Sequence, residues 1–403
     1  MRSLLISALV LSAGTAHAVP TPPDCSTLTN PIYLEVGDTQ LNLMKQLGRA
    51  LRNNAAKQIT LVFVTNGSCT NIGDFYNQTG LTVNFQYIPS NSEDPNWTPS
   101  SATLACTPHN GAQTLDMANS ALFIASCANE PAVPDFAQFT PGPIQAYVLA
   151  VPKASAAVAI TFEEAYFVFG FGPTILTQMA GDIAPWTIET ELQVRNNQKS
   201  TQLTWAANIA VDPSKFHGTV NTGSPGVVSG LQNSGNPGNA LGILGAEVYD
   251  ATRATLTELA FRAQGQYAAY WADSNVTSRD KKNVRDGHYT VWSPTIWMNK
   301  IDPQTHMPVT PDTQYVIDLI AGKTVTPAPN FDPNVIIAGV GLVPDCAMRV
   351  SRSFDGGPLS VYKPGQSCTC RFESIVDTTS CAACDTNTPC ASGVCRSGYC
   401  EEF

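Results

Sequence analysis

The stretch "PIYLEVGDTQLNLMKQLGRALRNNAAKQITLVFV", residues 31–64, decides the fold class. "PIYLEV" (31–36) reads as a buried strand and Gly37-Asp38-Thr39-Gln40 as a turn. "LNLMKQLGRALRNN" then places Leu43, Leu47, Ala50 and Leu51 on one helical face. "QITLVFV" (58–64) is a second apolar strand, closed by Thr65-Asn66-Gly67-Ser68-Cys69. Strand, helix and strand within roughly 35 residues form a βαβ unit, which implies a parallel sheet covered by helices.

The alternation continues downstream. "ALFIAS" (121–126) reads as a strand and "PIQAYVLAVPKAS" (143–155) as a longer extended segment. In "TFEEAYFVFG", Thr161 and Glu164 form a capping box that opens a helix, and Gly170 can end it. After Trp186 a strand runs to Val194, the polar loop of "VRNNQKSTQLTW" (194–205) follows, and "TQLTWAANIAV" reads as a helix. Ser224 suits an N-cap and Pro225 a first helical position, while "NALGILGAEVYD" (239–250) returns as a strand. Two extended crossings, near 143–152 and 239–248, predict an α/β fold of two lobes joined by a two-segment hinge. Lobe 1 takes 31–142 and 239–345, and lobe 2 takes 143–238. Ligands in such folds sit in the cleft at the carboxyl ends of strands.

The chain has 403 residues and a net charge of -10. "MRSLLISALVLSAGTAHA" reads as a signal peptide (1–18), followed by a linker (19–30). No later apolar run reaches the roughly 18 residues of a membrane span, so a secreted, periplasmic or extracellular protein is expected. The acidic balance argues against nucleic acid as a partner. It leaves a small anion open, because local donors act inside the screening length.

Three polar turns share one logic: each follows a strand and precedes a helix, so unpaired amide N–H groups face a potential anion. They are Asp38-Thr39-Gln40, Lys199-Ser200-Thr201-Gln202 and Asn221-Thr222-Gly223-Ser224. Ser68-Cys69-Thr70 is a fourth, and Ser126 ends a strand in the same manner. Arg195 leads the set, because its planar fork can give a tetrahedral oxyanion two parallel hydrogen bonds. Asp38 would repel an anion unless it accepts a proton from one, which favours phosphate over sulfate. Each turn alone also has a bland reading, since these residues cap helices and turn chains. No cofactor is implied.

With these residues on the page, the chain resembles the phosphate-type periplasmic solute-binding proteins of the type 2 periplasmic-binding fold. The match runs over about residues 31 to 300, through "YLEVGDTQ", "VTNGSCTNI", "AVPKASAAVAITFEEAYFVFG", Trp186-x8-Arg195-x4-Ser200-Thr201 and "GSPGVV". The resemblance implies that Arg195 and the turn beginning at Lys199 bind phosphate or a related oxyanion, and that a transporter or cell-envelope partner exists. The family's middle glycine and acidic loop residue are absent from this turn.

"DSNVTSRDKKNVRDGHYTVWSP" (273–294) reads as a solvated loop in which Arg279, Asp280, Lys281, Arg285 and Asp286 pair locally. Eight of the twelve cysteines fall between Cys346 and Cys400: Cys346, Cys368, Cys370, Cys381, Cys384, Cys390, Cys395 and Cys400. With Cys25, Cys69, Cys106 and Cys127 they are expected in disulfides of open pairing, since the compartment is oxidising and the tail lacks histidine. Residues 346–403 therefore form a cross-linked module. His109, His217, His288 and His306 are scattered and no nucleophile motif is present, so no enzyme is expected. The alternative to solute capture is a ligand-free surface interaction or scaffold module that uses the same fold and the tail.

Overall fold

The computed structural model describes residues 21–128, 131–172, 183–385, 388–391 and 393–401. The expected signal peptide lies outside the described residues. The opening unit forms as β1 (Pro31–Gly37), α1 (Leu41–Arg52) and β2 (Thr60–Asn66), with β1 and β2 parallel. α1 buries Leu43, Met44, Leu47, Gly48 and Leu51. Ala50 is half-buried instead; the 3.6-residue period turns Met44 and Gly48 inward beside Leu47 and Leu51.

α2 (Ser68–Tyr76), β3 (Phe85–Tyr87), β4 (Leu104–Cys106) and β5 (Met117–Ser120) complete the first half. The strand expected at 121–126 is a correction. The strand is β5, and Ile124–Ser126 is one 3-10 turn. β5 ends in the buried polar pair Asn119 and Ser120, which hid it from an apolar reading. Residues 24–27, expected within a linker, are fastened by a Cys25 to Cys106 disulfide and a bridge from Asp24 to Thr107.

β6 (Ala137–Pro152) runs 16 residues. β7 (Ala159–Thr161) leads into α3 (Phe162–Phe171), whose Thr161–Glu164 capping box is complete. α3 passes Gly170 and stops at Gly172, where φ is 75° and glycine is favoured. β8 (Leu192–Arg195) is shorter than expected, because Glu189–Glu191 make a 3-10 turn. α4 (Ser200–Asn208), β9 (Thr219–Asn221), α5 (Ser224–Gln232), β10 (Leu241–Gly245), α6 (Ala246–Thr252), β11 (Leu256–Glu258), β12 (Ala260–Arg262) and β13 (Trp292–Lys300) follow. Residues 246–250, read as strand, begin α6. Ser224 is the first residue of α5 and Gly223 its cap.

One sheet carries both halves, in the order β4-β3-β2-β1-β5-β13-β6-β10-β8-β9, with β11 also on β6. β6 pairs with β13 from Ala137 to Ala146, then with β10 and β11 from Tyr147 to Pro152. β10 sits between β6 and β8, and β13 between β5 and β6. Two apolar clusters cover opposite faces of the first half, one under α1 and one under α2. A third fills the second half around Tyr147, Leu149, Trp205 and Leu244.

The charged segment is a further correction. Asp273, Asp280, Lys281 and Arg285 are buried; Arg279 is exposed. Lys281 Nζ lies 2.8 Å from Asp250 and 3.1 Å from Asp273, and Arg253 reaches both acids at 2.6 and 2.5 Å. Burial works against the Lys281 charge, and the two carboxylates override it and hold the ammonium above its usual range. Asp250 and Arg253 lie more than 20 residues away in sequence, so the partners that permit burial were out of local view.

α7 (Pro311–Ile320) and α8 (Pro333–Gly339) return to the first half, and α9 (Thr369–Ile375) belongs to the tail. All twelve cysteines pair: 25–106, 69–127, 346–368, 370–381, 384–395 and 390–400. The tail is docked, with Cys368 and Phe372 buried in the third cluster. Its short hairpin, β14 (Val350–Ser351) and β15 (Ser360–Val361), presents a loop that touches both halves. Asp355 accepts hydrogen bonds from the Phe123 amide, Ser126 Oγ and Ser293 Oγ. Gly356, at φ 69°, packs on the Ala207 carbonyl of α4 so closely that a Cβ would come within 2.6 Å.

Candidate functional site

Strand ends of both halves meet at the candidate site. Arg195 closes β8, is 0% exposed, and sends its guanidinium toward the first turn of α5. Nε donates to the Asn221 carbonyl at 3.2 Å, Nη1 to Ser224 Oγ at 2.9 Å and Nη2 to the Thr222 carbonyl at 3.1 Å. Nη2 also meets Asp38 Oδ2 of the opposite half at 2.9 Å. The Ser224 amide and hydroxyl donate to the same oxygen at 3.3 and 3.2 Å. Freed from capping, the Ser224 side chain thus joins Arg195 and Asp38.

Lys199 Nζ lies 3.8 Å from Asp38 Oδ1. Burial draws its ammonium below the usual range while Asp38 pulls the other way. Ser200 and Thr201 follow as the first residues of α4, both buried, and Thr201 Oγ1 finds no partner among the described residues. Gln202 is not a donor to the cleft. Its Oε1 accepts the Arg195 amide at 3.0 Å and its Nε2 donates to the Pro213 carbonyl, so it braces β8.

On the facing side, three polar groups gather around Gly37 at ordinary contact distances. A Cβ there would lie 3.4 Å from Thr39 Oγ1, 3.9 Å from Ser68 Oγ and 4.0 Å from Asn119 Oδ1. Ser68 Oγ accepts the Ala121 amide at 3.0 Å. Asn119 Oδ1 is buried without a partner among the described residues. Gln40 Nε2 donates to Gln145 at 3.0 Å, and Gln145 Nε2 donates to Glu247 at 2.5 Å. Burial pushes the carboxyls of Glu247 and Glu35 up to about 8, so both are largely neutral at pH 7.

Other expected residues are engaged elsewhere. The Cys69 amide donates to the Gln198 carbonyl across the cleft at 3.4 Å, and its sulfur bonds Cys127. Thr70 is half-buried and makes no hydrogen bond to this group among the described residues. Ser126 donates to Asp355 at 2.5 Å, and its hydroxyl is spent there. Asn119, Gln145, Glu35 and Glu247 were not read as site residues. For Glu35 and Gln145 the signal was a lone polar residue inside an apolar strand, in "PIYLEV" and "PIQAYVLAV".

No family model matches the chain, and no curated protein matches it. Solved structures do. A protein assigned as a phosphate ABC transporter substrate-binding protein from Clostridium perfringens, with bound phosphate, is 11% identical, with 78% of this chain and 99% of that one covered at a TM-score of 0.51. An ABC-type phosphate transport receptor from Vibrio cholerae is 10% identical, with 78% and 100% covered at 0.48. A phosphate-binding protein from Stenotrophomonas maltophilia is 12% identical, with 78% and 91% covered at 0.45. The chain has the two-lobed α/β fold of the phosphate-type solute-binding proteins.

Proposed function

We propose that this is an extracytoplasmic solute-binding protein whose cleft captures phosphate or a related small oxyanion. One observation carries the reading. A fully buried guanidinium, a hydroxyl and an amide of the first turn of α5 converge on one carboxylate between the halves. Those donors suit a tetrahedral oxyanion. Thr39, Ser68, Ser200 and Thr201 line the same strand ends, and the unpartnered Thr201 Oγ1 and Asn119 Oδ1 add hydrogen-bonding capacity. The disulfides fit an oxidising compartment. Among the described residues no helix is long and apolar enough to cross a membrane. Delivery to a transporter or cell-envelope partner follows from the reading.

Titration calorimetry with phosphate, sulfate and arsenate tests it. Wild type binds at least one of them, and Arg195→Ala weakens that binding by about a hundredfold or more, because a buried charge-assisted pair is lost. Equal affinity in both proteins removes Arg195 from the site.

A second reading, a ligand-free interaction module, draws on the docked tail and its loop at both halves. Thermal melts unmoved by a broad anion panel, together with capture of a cell-envelope partner by the purified chain, select it.

A further inference from the structure

The donors at the ends of β8 and β9 already hold one anion, and it belongs to the chain itself. Asp38 Oδ2 receives Arg195 Nη2, the Ser224 hydroxyl and the Ser224 amide at 2.9, 3.2 and 3.3 Å, and Lys199 Nζ stands 3.8 Å from its second oxygen. Asp38 begins the turn after β1, in the first half of the sheet, whereas all of these donors belong to the second half. The remaining contacts of the guanidinium, to Asn221 and Thr222, are neutral carbonyls. Asp38 is therefore the one carboxylate among the described residues bonded to Arg195, and it ties the halves together.

We propose that Asp38 is a built-in competitor for the cleft: its carboxylate occupies the donors that a solute must take and keeps the cleft shut until an oxyanion displaces it. The identity of that solute rests on the oxyanion reading above; the shutting of the cleft does not. Two consequences follow. A free monocarboxylate offers Arg195 and Ser224 nothing that Asp38 lacks, and Asp38 is tethered at a high effective concentration. Acetate or formate is therefore refused. A tetrahedral oxyanion carries further oxygens for the hydroxyls of Thr39 and Thr201, and so it can win the exchange. The competitor also lowers apparent affinity by the fraction of molecules it keeps closed.

The test uses full-length protein with its disulfides intact, as wild type, Asp38→Asn and Asp38→Ala. Calorimetric titration with inorganic phosphate should show both variants binding about tenfold or more tightly than wild type, as expected if roughly nine molecules in ten are latched. Sodium acetate or formate should raise the melting temperature of Asp38→Ala saturably, by filling the place of the lost carboxylate, and leave wild type unmoved. Small-angle scattering in phosphate-free buffer should show a larger Asp38→Ala particle that contracts when acetate is added. Where wild type binds phosphate, binding no tighter in either variant overturns the proposal; so does, in any case, an Asp38→Ala melt indifferent to acetate and formate, and either leaves Asp38 a structural ion-pair partner. Asp38→Asn keeps the side chain's size and carries the phosphate comparison if Asp38→Ala does not fold. If no protein binds phosphate while acetate still restores Asp38→Ala, the oxyanion reading fails and the internal competitor stands.

Discussion

Glu247 sits at the start of α6 with Gln145 as its donor, and burial pushes its carboxyl from 4.5 up to about 8. Between those values the folded protein holds a proton that the unfolded chain releases. Stability is therefore highest at the acid end of this window and falls as pH rises, by up to about 1.4 kcal/mol per pH unit for this group. Glu35 and Glu258, also pushed up to about 8 by burial, slope the same way. Glu247→Gln keeps an acceptor for Gln145 and removes one titration. Denaturant unfolding between about pH 5 and pH 8 should give a flatter stability profile for the variant and a more stable variant at the upper end. A variant profile parallel to wild type would mean that Glu247 is ionised in the folded protein.

At the scale of elements, the turn around Lys281 shows what local reading misses. Lys281 has φ 43°, is 1% exposed, and is held by Asp250 on α6 and by Asp273. Lys281→Met leaves two buried carboxylates sharing Arg253, and should cost about 3–5 kcal/mol, read as a lower denaturation midpoint. A loss below about 1 kcal/mol would assign the cluster the weight of a surface pair. The same contrast explains what was legible. Elements with a strong period or a local cap were readable: α1, the Thr161–Glu164 box, and the helices after Lys199 and Gly223. β5 was not, because its last two residues, Asn119 and Ser120, are polar and buried. The charged segment was not, because its partners lie elsewhere in sequence. In the cleft, Arg195, Asp38 and Ser224 could be named from turn chemistry, yet their bonding to one another joins residues up to 186 positions apart. No spacing encodes that. Ser126 misled for the same reason, since its acceptor Asp355 comes from the tail.

For the whole molecule, the tail is part of the body and not an appendage. Asp355 collects the Phe123 amide, Ser126 and Ser293, while Gly356 rests on α4, whose first turn carries Ser200 and Thr201. Asp355→Ala strands three donors and should lower stability by about 2–4 kcal/mol. Hydrogen exchange should rise at 123–126 and over α4 together, and a rise confined to one of them would show that the loop serves one half alone. A last consequence belongs to β6, whose sixteen residues are shared by the two halves, with β13 beside it. A limp tether would let the halves swivel freely and melt apart in separate steps. A continuous ribbon of hydrogen-bonded backbone does neither: opening has to be stored as torsion along its length, which favours small, springy excursions, and heat should dissolve both halves in a single calorimetric peak.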